Sequence, residues 1–129
     1  MVKVWTNGCF DILHRGHLEL FKYAKSLGDE LVVGIDSDQK VKKDKGLGRP
    51  YNCLEDRVEM IKALRMVDRV VVFESRSELE RLIKEFNPAV LVVGSDWEGK
   101  TVVGEEYATE IKYFKRIGNY STTNILKDN

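Results

Sequence analysis

Apolar residues along the chain fall into two alternating patterns. Short runs rich in β-branched and aromatic residues predict strands, and their almost continuous apolar character is typical of parallel strands covered on both faces. These runs cover residues 2–6, 31–35, 69–73 and 89–93. Between them, apolar residues recur at intervals of three and four, which predicts amphipathic helices. The helices cover residues 18–27, 54–64 and 79–86.

Strand and helix therefore alternate, which predicts an α/β fold: a single doubly wound parallel-sheet domain with right-handed crossovers. The last part of the chain leaves two alternatives open. Residues 111–117 fit a fifth strand, whereas 106–113 fit a helix equally well, and 122–127 fit a short closing helix. The length of 129 residues suits one domain over 1–129.

Composition narrows the class of partner and of compartment. The 21 basic and 21 acidic residues cancel, so no global charge favours nucleic acid or a membrane. Cys9 and Cys53 lie too far apart to suggest a disulfide framework or a metal-binding spacing, and we expect both to be buried thiols. The chain begins without an apolar signal segment and contains no run approaching the ~20 apolar residues of a membrane span. We expect a cytoplasmic protein.

Doubly wound sheets bind ligands outside the carboxyl ends of their strands, so the loops after the strands matter most. Both histidines of the chain, His14 and His17, lie between the first strand and the first helix. At i and i+3 on a first helical turn they can face one ligand, and the helix start favours an anion. Imidazoles donate hydrogen bonds to phosphate oxygens, more strongly when protonated. Two surface or capping histidines, or two metal ligands, are the alternatives; no Cys, Asp or Glu cluster completes a zinc set.

The whole segment 8–17, GCFDILHRGH, resembles the first signature of the cytidylyltransferase-like nucleotidyltransferases. Residues 120–123, YSTT, match the second signature of that family, a hydroxyl-rich turn that would cradle phosphate at a helix start. The resemblance implies a Rossmann-like domain with an HxGH motif. It also implies a set of nucleotide-binding residues: Cys9, Phe10, Asp11, His14, His17, Arg57, Asp96, Arg116, Ser121, Thr122 and Thr123.

The family's reaction is in-line attack by an acceptor phosphate oxygen on the α-phosphorus of a nucleoside triphosphate, with release of pyrophosphate. The resemblance implies that Mg²⁺ accompanies the triphosphate, that no metal is held by the protein alone, and that Asp11 is a candidate partner for that ion. Relatives of this family are commonly homodimers. The implied catalytic residues are His14, His17, Lys43, Lys45 and Arg116.

Lys43 and Lys45 belong to a basic segment, residues 40–49, with five basic side chains and one acidic, a net charge of +4. By resemblance, one of these two lysines closes over the triphosphate on a mobile loop. Family landmarks elsewhere imply acceptor-binding roles for Asp38, Arg65 and Trp97.

Substrate identity is divided between two branches of the family. Residues 96–100, DWEGK, are similar to glycerol-3-phosphate cytidylyltransferases and favour CTP with glycerol 3-phosphate. Residues 49–52, RPYN, with 102–104 and 121–126, look more like heptose 1-phosphate adenylyltransferases, which use ATP. Ile117 and Asn119 depart from the cytidylyltransferase pattern. We expect CTP, with ATP and a heptose or other sugar 1-phosphate as the alternative.

Two hypotheses from other classes remain. A nucleotide-binding regulatory module would keep the fold without turnover, although both histidines and the hydroxyl-rich turn are present here. A nucleic-acid binder would use the basic segment 40–49, which has no interleaved aromatic residues beyond Tyr51.

Overall fold

A computed structural model describes residues 1–115 as a five-stranded sheet with helices on both faces. All neighbouring strands are parallel, in the order β3-β2-β1-β4-β5. The strands are β1 Lys3–Gly8, β2 Glu30–Asp36, β3 Arg69–Phe73, β4 Val90–Gly94 and β5 Glu110–Phe114. The helices are α1 Arg15–Ser26, α2 Asp38–Lys45, α3 Leu54–Lys62 and α4 Arg76–Phe86. The predicted doubly wound α/β fold is confirmed, since the chain moves outward from β1 to β3 and then crosses to β4.

Two elements differ from the sequence prediction, and one open alternative is resolved. β1 extends beyond the predicted run 2–6 through Asn7 and Gly8, which remain paired with β2. The basic segment is not a loop over its first half: α2 runs through it to Lys45, with the Ser37 hydroxyl accepting the Lys40 N–H at 3.2 Å. The open choice after β4 resolves to a strand, β5, preceded by a single 3₁₀ turn at Glu105–Tyr107.

Two apolar clusters sandwich the sheet. On one face, Phe21 and Ala24 of α1 and Ile61 of α3 pack against alternate residues of β1 and β2. On the other, Leu79 and Ile83 of α4 join a cluster around Trp5, Val32 and Leu91. This alternation along the central strands follows from the period of two in a β-strand, and it leaves the strand ends to carry polar chemistry.

One cysteine prediction is wrong. Cys9 is buried, but Cys53 is exposed because it precedes the first residue of α3, at the surface end of that helix. Among residues 1–115, no helix has both the length and the apolar character needed to cross a membrane.

Candidate active site

The central strands β1 and β4 separate before they end. Only Val4 and Trp5 of β1 pair with β4, whereas β1 stays paired with β2 as far as Gly8. Just beyond the last pair, the buried Thr6 hydroxyl donates to the Val92 carbonyl at 2.9 Å. This is the point where strand order reverses, and such a crevice is where doubly wound sheets bind ligands.

The two histidines stand together beside this crevice. His14 caps α1 in an extended conformation and His17 lies in its first turn. Their rings stack with centroids 3.8 Å apart and planes inclined by 21°. Because the first N–H groups of a helix have no partner inside it, the two imidazoles share their position with backbone donors suited to an anion. The two histidines, predicted to face one ligand from positions i and i+3, therefore lie next to each other with their rings stacked.

Phe10 packs against the His17 ring. Its backbone adopts a left-handed φ of 48°, uncommon for a bulky residue, and its ring meets the His17 ring edge-on at 5.3 Å. A Cβ added at Gly8 would lie 3.0 Å from the Phe10 ring. Gly8 is thus needed for the close approach of Phe10. Buried in the core, Phe10 acts on this site through His17.

His17 is neutral in this environment. Burial lowers its pKa to about 3, and the neighbouring His14 and the Lys45 ammonium add to this shift. Its Nδ1 accepts the backbone N–H of His14 at 3.3 Å, so the neutral ring carries its proton on Nε2. At neutral pH, His17 is therefore a neutral Nε2–H donor. The protonated form, which the sequence analysis considered as the stronger donor, therefore does not describe His17 in this structure.

Asp11 lies under the same loop, buried to 3% exposure. Its carboxylate accepts the backbone N–H groups of Tyr51 and Asn52, each at 2.7 Å, and the Arg49 Nε at 3.1 Å. The Asn52 side-chain amide returns a hydrogen bond to the Asp11 carbonyl at 2.7 Å. The carboxylate thus anchors the segment that follows α2.

Arg57 is the second buried charge, at 1% exposure. Its guanidinium donates to the carbonyls of Cys9 and Asp36 at 3.0 and 2.9 Å, and to the carbonyl of Asn52 at 3.0 Å. Its Nη2 donates to the Asp38 carboxylate at 2.7 Å. The side chain therefore joins the ends of β1 and β2 to the starts of α2 and α3. Asp38, expected to bind the acceptor, is engaged by Arg57.

Of the two candidate lysines, Lys45 is the last residue of α2. Its charge contributes to the lowered pKa of His17. Burial raises the pKa of the Cys9 thiol, and the charge of Lys45 opposes that rise. The Lys45 charge therefore acts electrostatically on two residues of the first loop. Lys43 and Lys45 are both exposed on α2.

The loop after β4 forms the other side of the crevice. Asp96 and Trp97 lie in a single 3₁₀ turn, Ser95–Trp97, directly after the strand. Trp97 is 48% exposed, and the Lys100 ammonium stands 6.0 Å from its ring centroid. A Cβ on Gly94 would meet nothing within 4 Å, so this strand end opens to solvent.

One predicted site residue lies elsewhere. Arg65 is exposed between α3 and the start of β3, just before Asp68. Asp68 accepts the Leu31 N–H at 2.7 Å and the Lys25 ammonium at 2.6 Å, which fixes this turn at the amino edge of the sheet. Within one chain, Arg65 is therefore on the edge opposite the histidines. Arg116, Ser121, Thr122 and Thr123 lie outside the described residues.

The described residues do not form a resident metal site. Among residues 1–115 there is no group of three or more His, Cys, Asp and Glu side chains able to hold an ion. The Asp11 carboxylate already faces three N–H donors, an environment suited to an anion and not to a cation.

Sequence reasoning missed how residues 49–52 contribute. Their pattern was informative only as a family resemblance, because Asp11 and Asn52 are 41 positions apart and no local spacing links them. The Arg49-Pro50 pair, in which proline restricts the backbone, is a local sign of a turn in this segment.

A family model described as Cytidylyltransferase-like matches residues 5–127. The chain belongs to the cytidylyltransferase-like family. The match covers the histidine pair, the crevice and both buried charges, so the resemblance inferred from segment 8–17 is confirmed.

Relatives of this cytidylyltransferase-like chain include the bifunctional protein HldE of Campylobacter fetus. It is 50% identical over 123 residues, which cover 95% of this chain and 27% of that protein. HldE of Aliarcobacter butzleri is 49% identical, over 96% of this chain and 26% of that protein. The chain thus spans about a quarter of the length of these relatives.

Among solved structures, the lipopolysaccharide core biosynthesis protein from Thermoplasma volcanium superposes with a TM-score of 0.68 at 28% identity. The alignment covers 94% of this chain and 99% of that one. Pantothenate synthetase from Thermus thermophilus shares the fold, with a TM-score of 0.61 at 16% identity, over 96% of this chain and 60% of that one.

Proposed function

We propose that this chain is a nucleotidyltransferase domain that transfers the adenylyl group of ATP to a sugar 1-phosphate of the heptose 1-phosphate class. The observation that carries the reaction type is the stacked pair His14 and His17 at the crevice between β1 and β4. A neutral Nε2–H donor at a helix start supports binding of an anion there, and the charge of Lys45 acts on the same histidine.

In this proposal an oxygen of the acceptor phosphate attacks the α-phosphorus and forms the new P–O bond. The bond from the α-phosphorus to its bridging oxygen breaks, and pyrophosphate leaves with that electron pair. The attacking oxygen is already anionic, so no general base is required. His14 and His17 stabilise charge on the transferring phosphate and the leaving group. Magnesium enters with the triphosphate, and no described residue set is assigned to hold it.

Two findings favour the sugar phosphate over our expectation of CTP and glycerol 3-phosphate. The first is the 50% identity to HldE, which agrees with the resemblance of residues 49–52 and 102–104 to heptose 1-phosphate adenylyltransferases. The solved relative at 28% identity is named a lipopolysaccharide core biosynthesis protein, which supports an acceptor of the sugar class. CTP with glycerol 3-phosphate is the second candidate, supported by residues 96–100.

An activity screen separates these substrates. Four nucleoside triphosphates are each combined with heptose 1-phosphate, glycerol 3-phosphate, phosphocholine and phosphoethanolamine, and pyrophosphate release is followed. We expect turnover with ATP and heptose 1-phosphate. Turnover only with CTP and glycerol 3-phosphate would replace the proposed substrates, and nucleotide binding without pyrophosphate release would identify a regulatory module.

Two substitutions of His17 test its donor role. Asparagine can accept the His14 N–H but has no donor at the Nε2 position, so His17→Asn should lower turnover about a hundredfold, or ~3 kcal/mol. Glutamine reaches the Nε2 position with an N–H, so His17→Gln should retain clearly more activity. Circular dichroism checks that both variants fold. Equal turnover of the two variants would contradict the assigned donor.

A further inference from the structure

The helix that carries Lys45 has little apolar anchoring of its own. α2 is eight residues long, six of them charged, and Val41 is its one buried residue. It ends at Gly46, whose φ of 108° turns the chain sharply away. Since burial of one valine contributes only about 2 kcal/mol, other contacts must fix where this helix points.

Within the helix, the Lys40 ammonium contacts the Asp36 carboxylate at 3.3 Å, and the contacts at its two flanks involve the two buried charges. Before Lys45, at the start of α2, Asp38 is held by Arg57. After it, Arg49 and the N–H groups of the next turn are held by Asp11. Asn52 links the two buried charged residues, since its side-chain amide donates to the Asp11 backbone carbonyl and its own backbone carbonyl accepts from Arg57. α2 is thus tied to the loop that carries the histidines at its start and, after its end, through the turn in which the Arg49 N–H donates to the Gly46 carbonyl at 3.2 Å.

We infer that Asp11 is a positioning residue: by anchoring residues 49–52 to the loop that carries His14 and His17, it fixes the end of α2 and with it Lys45. This inference rests on the proposed function, because Lys45 matters only where a phosphate is bound. It assigns Asp11 a role through another residue, in place of a role as a magnesium partner.

The anchor requires a carboxylate. Asp11 offers acceptors to three donors, and only oxygen atoms face them. In Asp11→Asn one oxygen becomes an N–H₂ group, which directs its own hydrogens at donor groups and leaves at least one backbone N–H without a partner. The turn should therefore open locally while the apolar core on either side of the sheet is unchanged.

A double-mutant cycle on turnover tests the inference. Lys45→Ala should lower kcat about a hundredfold and Asp11→Asn about tenfold. If Asp11 acts through Lys45, Asp11→Asn in the Lys45→Ala background should lower kcat less than twofold further. Asp11→Asn combined with Lys62→Ala, which removes an exposed charge at the far end of α3, should still show the full tenfold loss. Additive losses with Lys45→Ala would overturn the inference.

Two further measurements separate the alternatives. Amide hydrogen exchange at Tyr51 and Asn52 should accelerate at least tenfold in Asp11→Asn, and unchanged exchange would overturn the inference even where turnover falls. The magnesium concentration for half-maximal rate should stay within twofold; a tenfold rise would assign Asp11 to the metal. If Asp11→Asn does not fold, Asn52→Ala, which removes one tie to Asp11, replaces it in the cycle. Wild-type protein without pyrophosphate release would defeat the proposed function, and the exchange measurement would still test the anchor.

Discussion

The loops after β1 and β4 face the same crevice but are built in opposite ways. The first loop is held by hydrogen bonds: its carbonyls and carboxylate accept from Arg57, Asn52 and the turn before α3. Its aromatic residue, Phe10, is buried in the core. The second is a single 3₁₀ turn with Trp97 about half exposed. The difference suits a site in which phosphate chemistry is fixed and substrate recognition is adaptable.

The cost of rigidity in the first loop is the burial of charge. Asp11 and Arg57 are both almost inaccessible to solvent, which is unfavourable unless each charge is compensated. Each has several short hydrogen bonds, and they share Asn52. In contrast, the β4 loop keeps its charged residue Asp96 at the surface. We therefore expect the same kind of substitution to have very different effects on the two sides of the crevice.

The largest effect on stability should come from Arg57→Met, which keeps a similar side-chain volume and removes the guanidinium group. Three carbonyls and the Asp38 carboxylate lose a charged donor, so we expect the free energy of unfolding to fall by about 4 kcal/mol. Urea denaturation measures it. Arg81→Met on α4 is the matched control, since its contacts with Glu78 and Glu85 are exposed, and it should cost less than about 1 kcal/mol. Equal losses would mean that the β1 loop is not held by Arg57.

The fold and the place of the candidate site were predictable from the sequence, whereas the hydrogen bonds of Asp11 and Arg57 were not. Strands and amphipathic helices follow from local periodicity, and the carboxyl-end rule places both histidines at the crevice. Three partners of Arg57, which are Cys9, Asp36 and Asp38, lie 19 to 48 positions away, and polar contacts over such distances leave no periodic pattern. For the same reason the sequence did not reveal that Asp38 is engaged by Arg57.

An effect of intermediate size should be seen in the pH dependence of stability, and it comes from His17. With a pKa of about 3 when folded and about 6.5 when unfolded, His17 takes up a proton more readily on unfolding. Its neutral form therefore gives stability that is fully present above pH 6.5 and is lost as the pH falls, by about 1.4 kcal/mol at pH 5.5. In His17→Gln the loss between pH 7.5 and 5.5 should shrink by that amount. Parallel pH profiles for the two proteins would show that His17 is hydrated and not held by Phe10.

The smallest effect on stability should come from the β4 loop. Trp97→Ala removes an aromatic ring that lies about half in solvent, so the free energy of unfolding should change by less than about 0.5 kcal/mol. If this loop recognises the acceptor, the substitution should raise the KM for heptose 1-phosphate about tenfold and leave the affinity for ATP within twofold. Tyr113→Ala, at an exposed position on the edge strand β5, is the control for loss of a surface aromatic ring. Two results would contradict the contrast between a fixed and an adaptable loop: a large loss of stability, or a loss of ATP affinity with an unchanged KM for the acceptor. In either case Trp97 would belong to the fixed side of the crevice.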